Sequence, residues 1–159
     1  MSINVLFVCL GNICRSPMAE AVFQQMVQVA GLQDKITVDS AGTGSWHEGE
    51  TAHPGTLRIL AQHGIDYKGR ARQVRPQDLT APHTYIIAMD SNNFSNLSRL
   101  SASHPRLYRL LDFACPATRQ NNGPDVPDPY YTGDFETVYQ LVAESCTSLL
   151  ATIRQQEGL

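Results

Sequence analysis

The first apolar run in the chain, Ile3-Asn4-Val5-Leu6-Phe7-Val8-Cys9, is short, nearly continuous and rich in β-branched residues. Such a run predicts a strand buried on both faces, as in a parallel sheet. The pattern breaks over residues 10–15. Ser16-Pro17 then reads as an N-cap with proline at the first helical position. Met18, Ala21, Val22, Met26, Val29 and Ala30 recur at helical spacing until Gly31 stops the helix. Ile36-Thr37-Val38-Asp39 reads as a second strand. Residues 40–53 form a loop that holds the only tryptophan, Trp46, and Pro54 opens a helix that ends at Gly64. Thr84-Tyr85-Ile86-Ile87-Ala88-Met89 is a third buried strand, closed by Asp90. A polar helix follows over residues 92–101, and residues 107–111 are a fourth strand. Residues 114–133 are rich in proline, asparagine, glycine and aspartate, which predicts a long surface loop. Phe135, Val138, Tyr139, Val142, Cys146, Leu149, Leu150 and Ile153 make one apolar stripe along a last helix.

Strands alternating with helices predict an α/β fold: a four-stranded parallel sheet with helices on both faces. The 159 residues suit one domain spanning 1–159, and no repeat or linker divides them. Ligands in such folds bind at the carboxyl ends of the strands, where strand order reverses. The loop after the first strand lies at that edge.

Composition narrows the function. Apolar residues are 42% and charged residues 17%, enough for a core and too little charge for a disordered chain. A net charge of −3 without any basic run argues against nucleic acid or an anionic membrane surface as partner. The N-terminus shows no basic leader or cleavage site, and no apolar run is long enough to span a bilayer, so a cytoplasmic protein is expected. Four cysteines in such a compartment point to catalysis, metal or redox sensing rather than to disulfides. There is no Cys-x-x-Cys pair and the five histidines are scattered, so no metal and no cofactor is expected.

The loop Cys9-Leu10-Gly11-Asn12-Ile13-Cys14-Arg15-Ser16 suits a phosphate dianion. Successive backbone N–H groups in a tight loop form an anion-binding nest. The helix behind it adds its positive N-terminal end. Arg15 can grip two phosphate oxygens with its planar fork. Gly11 and Asn12 tolerate the positive φ that a cradle requires. The same field favours a thiolate at Cys9, a nucleophile that needs no histidine base. Ser16 can donate a hydrogen bond to its sulfur and help it leave. The Cys-x5-Arg spacing by itself carries little weight, and a strand-end cysteine beside a surface arginine would produce it. Its place, once in the chain, between a buried strand and a proline-started helix is what raises it.

An acid is needed as well, because the oxygen that a nucleophile displaces from phosphorus leaves poorly without a proton. Asp125, Asp128 and Asp134 are on offer. Asp125 and Asp128 share the stretch Gly123-Pro124-Asp125-Val126-Pro127-Asp128-Pro129, where an aspartate beside proline is also an ordinary turn former. Spacing does not separate them.

Val5-Leu6-Phe7-Val8-Cys9-Leu10-Gly11-Asn12-Ile13-Cys14-Arg15-Ser16-Pro17 resembles the signature loop of the low-molecular-weight protein tyrosine phosphatases. Val38-Asp39-Ser40-Ala41-Gly42-Thr43, Ala71-Arg72-Gln73-Val74, Met89-Asp90, Asp128-Pro129-Tyr130-Tyr131 and Phe135-Glu136-Thr137-Val138-Tyr139 resemble that family's later segments, in order, over nearly the whole chain. The resemblance implies a flavodoxin-like, phosphotyrosine phosphatase I-like fold and hydrolysis of phosphotyrosine in proteins through a phosphocysteine, with no metal. It implies Cys9 as nucleophile, Arg15 and the loop N–H groups of residues 10–14 as phosphate holders, and Asp128 as acid. Trp46, Tyr130 and Tyr131 become candidate walls for the substrate ring, against a bland reading as ordinary exposed or packed aromatics. Isoleucine at position 13 is similar to the phosphotyrosine enzymes, where threonine marks a phosphoarginine branch. Asn12 with Ser40 is expected to support the loop, and Asp90 to orient Arg15, although turn and cap chemistry would explain all three. Relatives carry a supporting histidine where this chain has Gly69, so that support is expected to be absent or replaced.

The resemblance also implies that Cys14 faces the same pocket as Cys9, so that a Cys9–Cys14 disulfide can form under oxidation. Cys115 and Cys146 read as a loop thiol and a helix core residue. Two rival readings are an arsenate reductase of the same fold and a non-catalytic phosphotyrosine-binding module. The first needs two further cysteines close together, but residues 80–90 hold none, and Cys115 and Cys146 are 31 positions apart. The second needs neither nucleophile nor acid. A monomer is expected.

Overall fold

The computed structural model describes residues 2–101, 104 and 106–159, and only the backbone of Asn121 and Asn122. Four strands, β1 (Ile3–Cys9), β2 (Ile36–Gly42), β3 (Thr84–Ala88) and β4 (Leu107–Arg109), form one parallel sheet in the order β2-β1-β3-β4. Seven helices accompany them in the described residues: α1 (Arg15–Val29), α2 (Pro54–Gln62), α3 (Pro76–Thr80), α4 (Ser91–Leu100), α5 (Pro116–Asn122), α6 (Pro129–Thr132) and α7 (Phe135–Glu157). None is long and apolar enough to cross a membrane.

The period of two along β1 decides which layer each side chain joins. Ile3, Val5, Phe7 and Cys9 face α1 and α7, where they meet Met18, Val22, Phe23, Val142, Cys146 and Leu149. Leu6 and Val8 face the other way, into a smaller cluster with Ala41, Ile86, Ala88, Leu79 of α3 and Leu97 of α4. Both faces are covered, which is why the first run reads as continuously apolar. Chain order reverses at β1: the chain passes to β2 on one side and later returns to β3 on the other. The carboxyl ends of β1 and β3 therefore open onto one crevice.

Several boundaries differ from the sequence reading, each for a local reason. Helix α1 starts at Arg15, with Cys14 and not Ser16 as its N-cap. Ser16 lies in the first turn, where Pro17 is still tolerated because no intrahelical partner awaits its missing N–H. β2 extends to Gly42, because Cys9 pairs with Gly42 and Gly42 also bridges to Gln73. Ser40 is thus a strand residue and not the start of a loop. The fourth strand stops at Arg109, where Asp112 accepts the Arg109 N–H at 3.0 Å and turns residues Leu110–Phe113 into a 3-10 helix. The predicted surface loop over 114–133 contains α5 and α6. Pro116 and Pro129 sit at helix starts, Gly123 and Gly133, with φ of 67° and 74°, sit just past helix ends, and Pro124 and Pro127 lie in the irregular stretch between the two helices. Half of the prolines that look like loop formers thus open short helices instead.

Candidate active site

Cys9 is the last residue of β1, and residues 10–14 carry the chain to α1. The turn closes around the sulfur: the Asn12 N–H points at Cys9 Sγ (3.3 Å) and Ser16 Oγ lies 3.0 Å from it. Asn12 holds a left-handed φ of 58°, a cost that its side chain offsets with three hydrogen bonds. Its Nδ2 donates to Ser16 Oγ (2.8 Å) and Ser40 Oγ (3.0 Å), and its Oδ1 accepts the Arg72 N–H (3.0 Å). Asn12 therefore braces the loop from behind and does not line the pocket. Among the described residues no acceptor pairs with the backbone N–H of Gly11, Ile13 or Cys14. Three such donors in one tight turn make an anion cradle, reinforced by the first turn of α1.

Arg15 is 3% exposed, yet it is a cation. Its Nη1 donates to Asp90 Oδ2 (2.7 Å) and to the Val126 carbonyl (3.0 Å), and its Nη2 makes a longer contact to Asp128 Oδ2 (3.4 Å). Burial acts to lower its pKa, but Cys9, the Asp90 hydrogen bond and Asp128 outweigh that and push it above the ordinary arginine value. Asp90 also caps α4 by accepting the Asn93 N–H (2.7 Å), so one carboxylate fixes a helix start and the guanidinium together.

The three loop aspartates, inseparable by spacing, do different things in space. Asp125 Oδ1 accepts both the N–H and the hydroxyl of Ser91, each at 2.8 Å. Asp134 caps α7 through Thr137. Asp128 caps the one-turn α6 through the Tyr130 N–H (3.1 Å) with one oxygen and turns the other toward Arg15. Asp128 is the one of the three that lines the cavity above Cys9.

That cavity holds about 260 Å³. Cys9, Gly11, Cys14 and Arg15 line its base, and Leu10, Ile13, Trp46, His47, Tyr130 and Tyr131 its sides. Trp46 (72% exposed) and Tyr131 (77%) stand up from the surface as a rim rather than joining the core. Tyr130 and Tyr131 meet edge to face at 5.3 Å, with His47 and His53 near Tyr130. An apolar, aromatic-sided shaft over an anion cradle fits a flat aryl phosphate. Burial pushes the Cys14 thiol up to about 12, with the charges of Cys9 and Asp128 adding to it and Arg15 opposing. Cys14 is thus kept protonated at neutral pH.

Every predicted site residue is near this cavity, although Asn12, Ser16, Ser40 and Asp90 stand behind it rather than in its wall. Sequence reading missed His47, the Val126 carbonyl, Glu20 and Tyr67. Glu20 had a usable signal, since it follows Ser16 by one helical turn on the same face. Tyr67 had none. Its hydroxyl donates to Glu20 Oε1 (2.8 Å), and Ser40 Oγ donates to the same oxygen (2.5 Å). Gly69 brings no side chain to this network, and Glu20, held by Tyr67, supports Ser40. Cys115 sits exposed before α5 and Cys146 is buried in α7, both away from the cavity.

Known proteins resemble the chain from end to end. The sequence model of the family described as low molecular weight phosphotyrosine protein phosphatase matches residues 4–158. The low molecular weight protein-tyrosine-phosphatase YfkJ of Bacillus subtilis (strain 168) is 49% identical, with 99% of each chain covered. The low molecular weight protein-tyrosine-phosphatase PtpA of Staphylococcus epidermidis is 43% identical over 99% of this chain and 97% of that one. The crystal structure of YfkJ from Bacillus subtilis superposes with a TM-score of 0.92, at 48% identity, covering 98% of this chain and 97% of that one. The chain thus belongs to the low molecular weight phosphotyrosine protein phosphatase family, enzymes that hydrolyse phosphotyrosine.

Proposed function

We propose that the protein dephosphorylates tyrosine in cytoplasmic protein substrates in two displacements at phosphorus, with Cys9 as nucleophile and Asp128 as the acid and base. The observation that carries this is the convergence of Cys9, Arg15 and Asp128 on one cavity, with the Ser16 hydroxyl against the sulfur. In the first step the Cys9 thiolate forms the S–P bond as the P–O bond to tyrosine breaks, and Asp128 gives its proton to the phenol oxygen. In the second, Asp128 takes a proton from water, the water oxygen bonds to phosphorus, and the S–P electron pair returns to sulfur. Arg15 and the N–H groups of Gly11, Ile13 and Cys14 hold the equatorial oxygens throughout, so positioning and fixed charge supply most of the rate enhancement. Trp46, Tyr130 and Tyr131 hold the substrate ring. Ile13 in the shaft wall favours an aryl ester over the more polar phosphoarginine. All four cysteines are free thiols, which suits a reducing compartment.

The direct test compares a phosphotyrosine peptide, a phosphoarginine peptide and arsenate, each with EDTA present. Phosphotyrosine turnover undiminished by EDTA is expected. Thioredoxin-dependent arsenate reduction without phosphatase activity, or phosphoarginine as the better substrate, would overturn the assignment.

Oxidation is a second consequence of the same geometry. Peroxide converts the Cys9 thiolate to the sulfenic acid, and attack by Cys14 expels water to leave a disulfide. Removing the Cys9 charge lifts one of the influences that keep Cys14 protonated. Cys14→Ser is expected to make peroxide inactivation markedly less reversible by dithiothreitol, because Cys9 then proceeds to sulfinic acid. Equal recovery of the variant and the parent would count against the disulfide.

A further inference from the structure

A Cβ on residue 69 would stand 2.3 Å from the Tyr67 hydroxyl oxygen and 2.5 Å from Cζ of the ring. The phenol of Tyr67 thus occupies the space into which any side chain at position 69 would grow. It packs against the main core and its hydroxyl reaches Glu20. Glu20 is half-buried on α1, with Asp39 and Arg72 as the other charged groups facing it. Burial raises its pKa, and the Ser40 and Tyr67 hydrogen bonds act the other way. Burial and the Glu20 charge push the Tyr67 phenol well above its ordinary value, so it remains a donor.

The sense of each hydrogen bond in this chain is fixed by what its members can donate. The Arg72 N–H marks Oδ1 as the acceptor end of the Asn12 amide, so both Asn12 Nδ2 protons are free to go to Ser16 and Ser40. Each of those hydroxyls accepts from Asn12 and has one proton left. Ser40 sends its proton to Glu20. Ser16 sends its own to Cys9 Sγ at 3.0 Å, a better partner than the Ala41 carbonyl at 3.5 Å. Glu20 accepts twice on one oxygen, from Ser40 and from Tyr67, and the phenol holds that carboxylate in place.

We propose that Tyr67 is a positioning residue for the Cys9 sulfur, acting through Glu20, Ser40, Asn12 and Ser16. Resting on the phosphocysteine reading above, its effect falls on the second step. When the S–P bond breaks, the electron pair returns to a sulfur that already faces the Ser16 hydroxyl proton. No proton moves along the chain; its orientation is what matters. The first step starts from a sulfur that already carries the charge, so weakening the chain costs it far less.

Tyr67→Phe removes the hydroxyl and keeps the ring. It is expected to lower kcat by about threefold to tenfold, the range for one hydrogen bond to a charged group attenuated over the relay, while kcat/KM stays within about twofold. The steady-state fraction of acid-quenched enzyme carrying phosphate on Cys9 should rise in parallel. Gly69→Ala displaces the same phenol by a different route and should give the same pattern. The double variant Tyr67→Phe with Gly69→Ala should be no slower than the slower single variant, since both break one contact. A Tyr67→Phe enzyme with parental kcat would overturn the proposal. So would equal losses in kcat and kcat/KM, or losses that multiply in the double variant. Failure of the parent enzyme to show any phosphate on Cys9 would overturn the phosphocysteine mechanism itself, whereas its presence with unchanged breakdown in the variants removes only the role of Tyr67.

Discussion

Cys9→Ser will reduce phosphotyrosine hydrolysis by at least about 10⁴-fold, because a serine hydroxyl is not ionised and a lone change of nucleophile commonly costs that much. The Ser16 hydroxyl faces this position as a donor, and in the proposed mechanism Asp128 serves the leaving group. Neither stands as a base for a serine nucleophile. The phosphate holders are untouched: the loop N–H groups, Arg15 and its clamp by Asp90 and Val126 all lie outside the substituted atom. The variant should therefore still bind phosphotyrosine peptides, and calorimetric titration with a non-turned-over excess of peptide checks this. Added to a lysate, it should retain phosphotyrosine proteins and so identify the substrate. Residual turnover within tenfold of the parent would mean that another group attacks phosphorus.

Asp128→Asn will act on the leaving group. General acid catalysis contributes about 10²–10⁴-fold, so kcat/KM for phosphotyrosine should fall by about 10²–10³. The same ratio for an aryl phosphate with a much more acidic phenol should fall far less, because that phenolate departs without a proton. The contrast between the two esters, measured on kcat/KM to isolate the first step, is the signature of an acid. An equal loss on both would instead assign Asp128 to holding Arg15, to which it lies 3.4 Å away. Asp125→Asn is the matching comparison. It should show no such contrast, because Asp125 spends its carboxylate on Ser91.

Much of this was legible in the chain. Four apolar runs and the helices between them define the sheet, since a strand covered on both faces must be apolar throughout. Cys9, Arg15 and Ser16 were visible because an anion cradle needs contiguous residues, and contiguity is what a sequence displays. Trp46 was visible because it had no apolar neighbours to join. Asp125 and Asp128 were not separable from spacing: both sit beside proline, and only the folded loop turns one toward Ser91 and the other toward the cavity. Residues 114–133 misled because proline and glycine punctuate short helices as readily as they build loops. Tyr67 was invisible for a different reason. It lies 47 positions from Glu20, and its place was created by what residue 69 lacks.

The segment that carries Asp128 is tied down at its root. The Val126 N–H binds the Met89 carbonyl (2.9 Å), the Val126 carbonyl receives Arg15, and Asp125 holds Ser91 at the start of α4. In the proposed mechanism an acid anchored in this way already stands over Cys9, so turnover need not be paced by an opening and closing motion. The shaft stays open to bulk water, and the same opening that admits the substrate ring admits the water that later clears the cysteine. Selectivity then cannot come from closure around the right partner. It must come from reach, meaning which phosphate hangs from a side chain long and flat enough to touch the bottom.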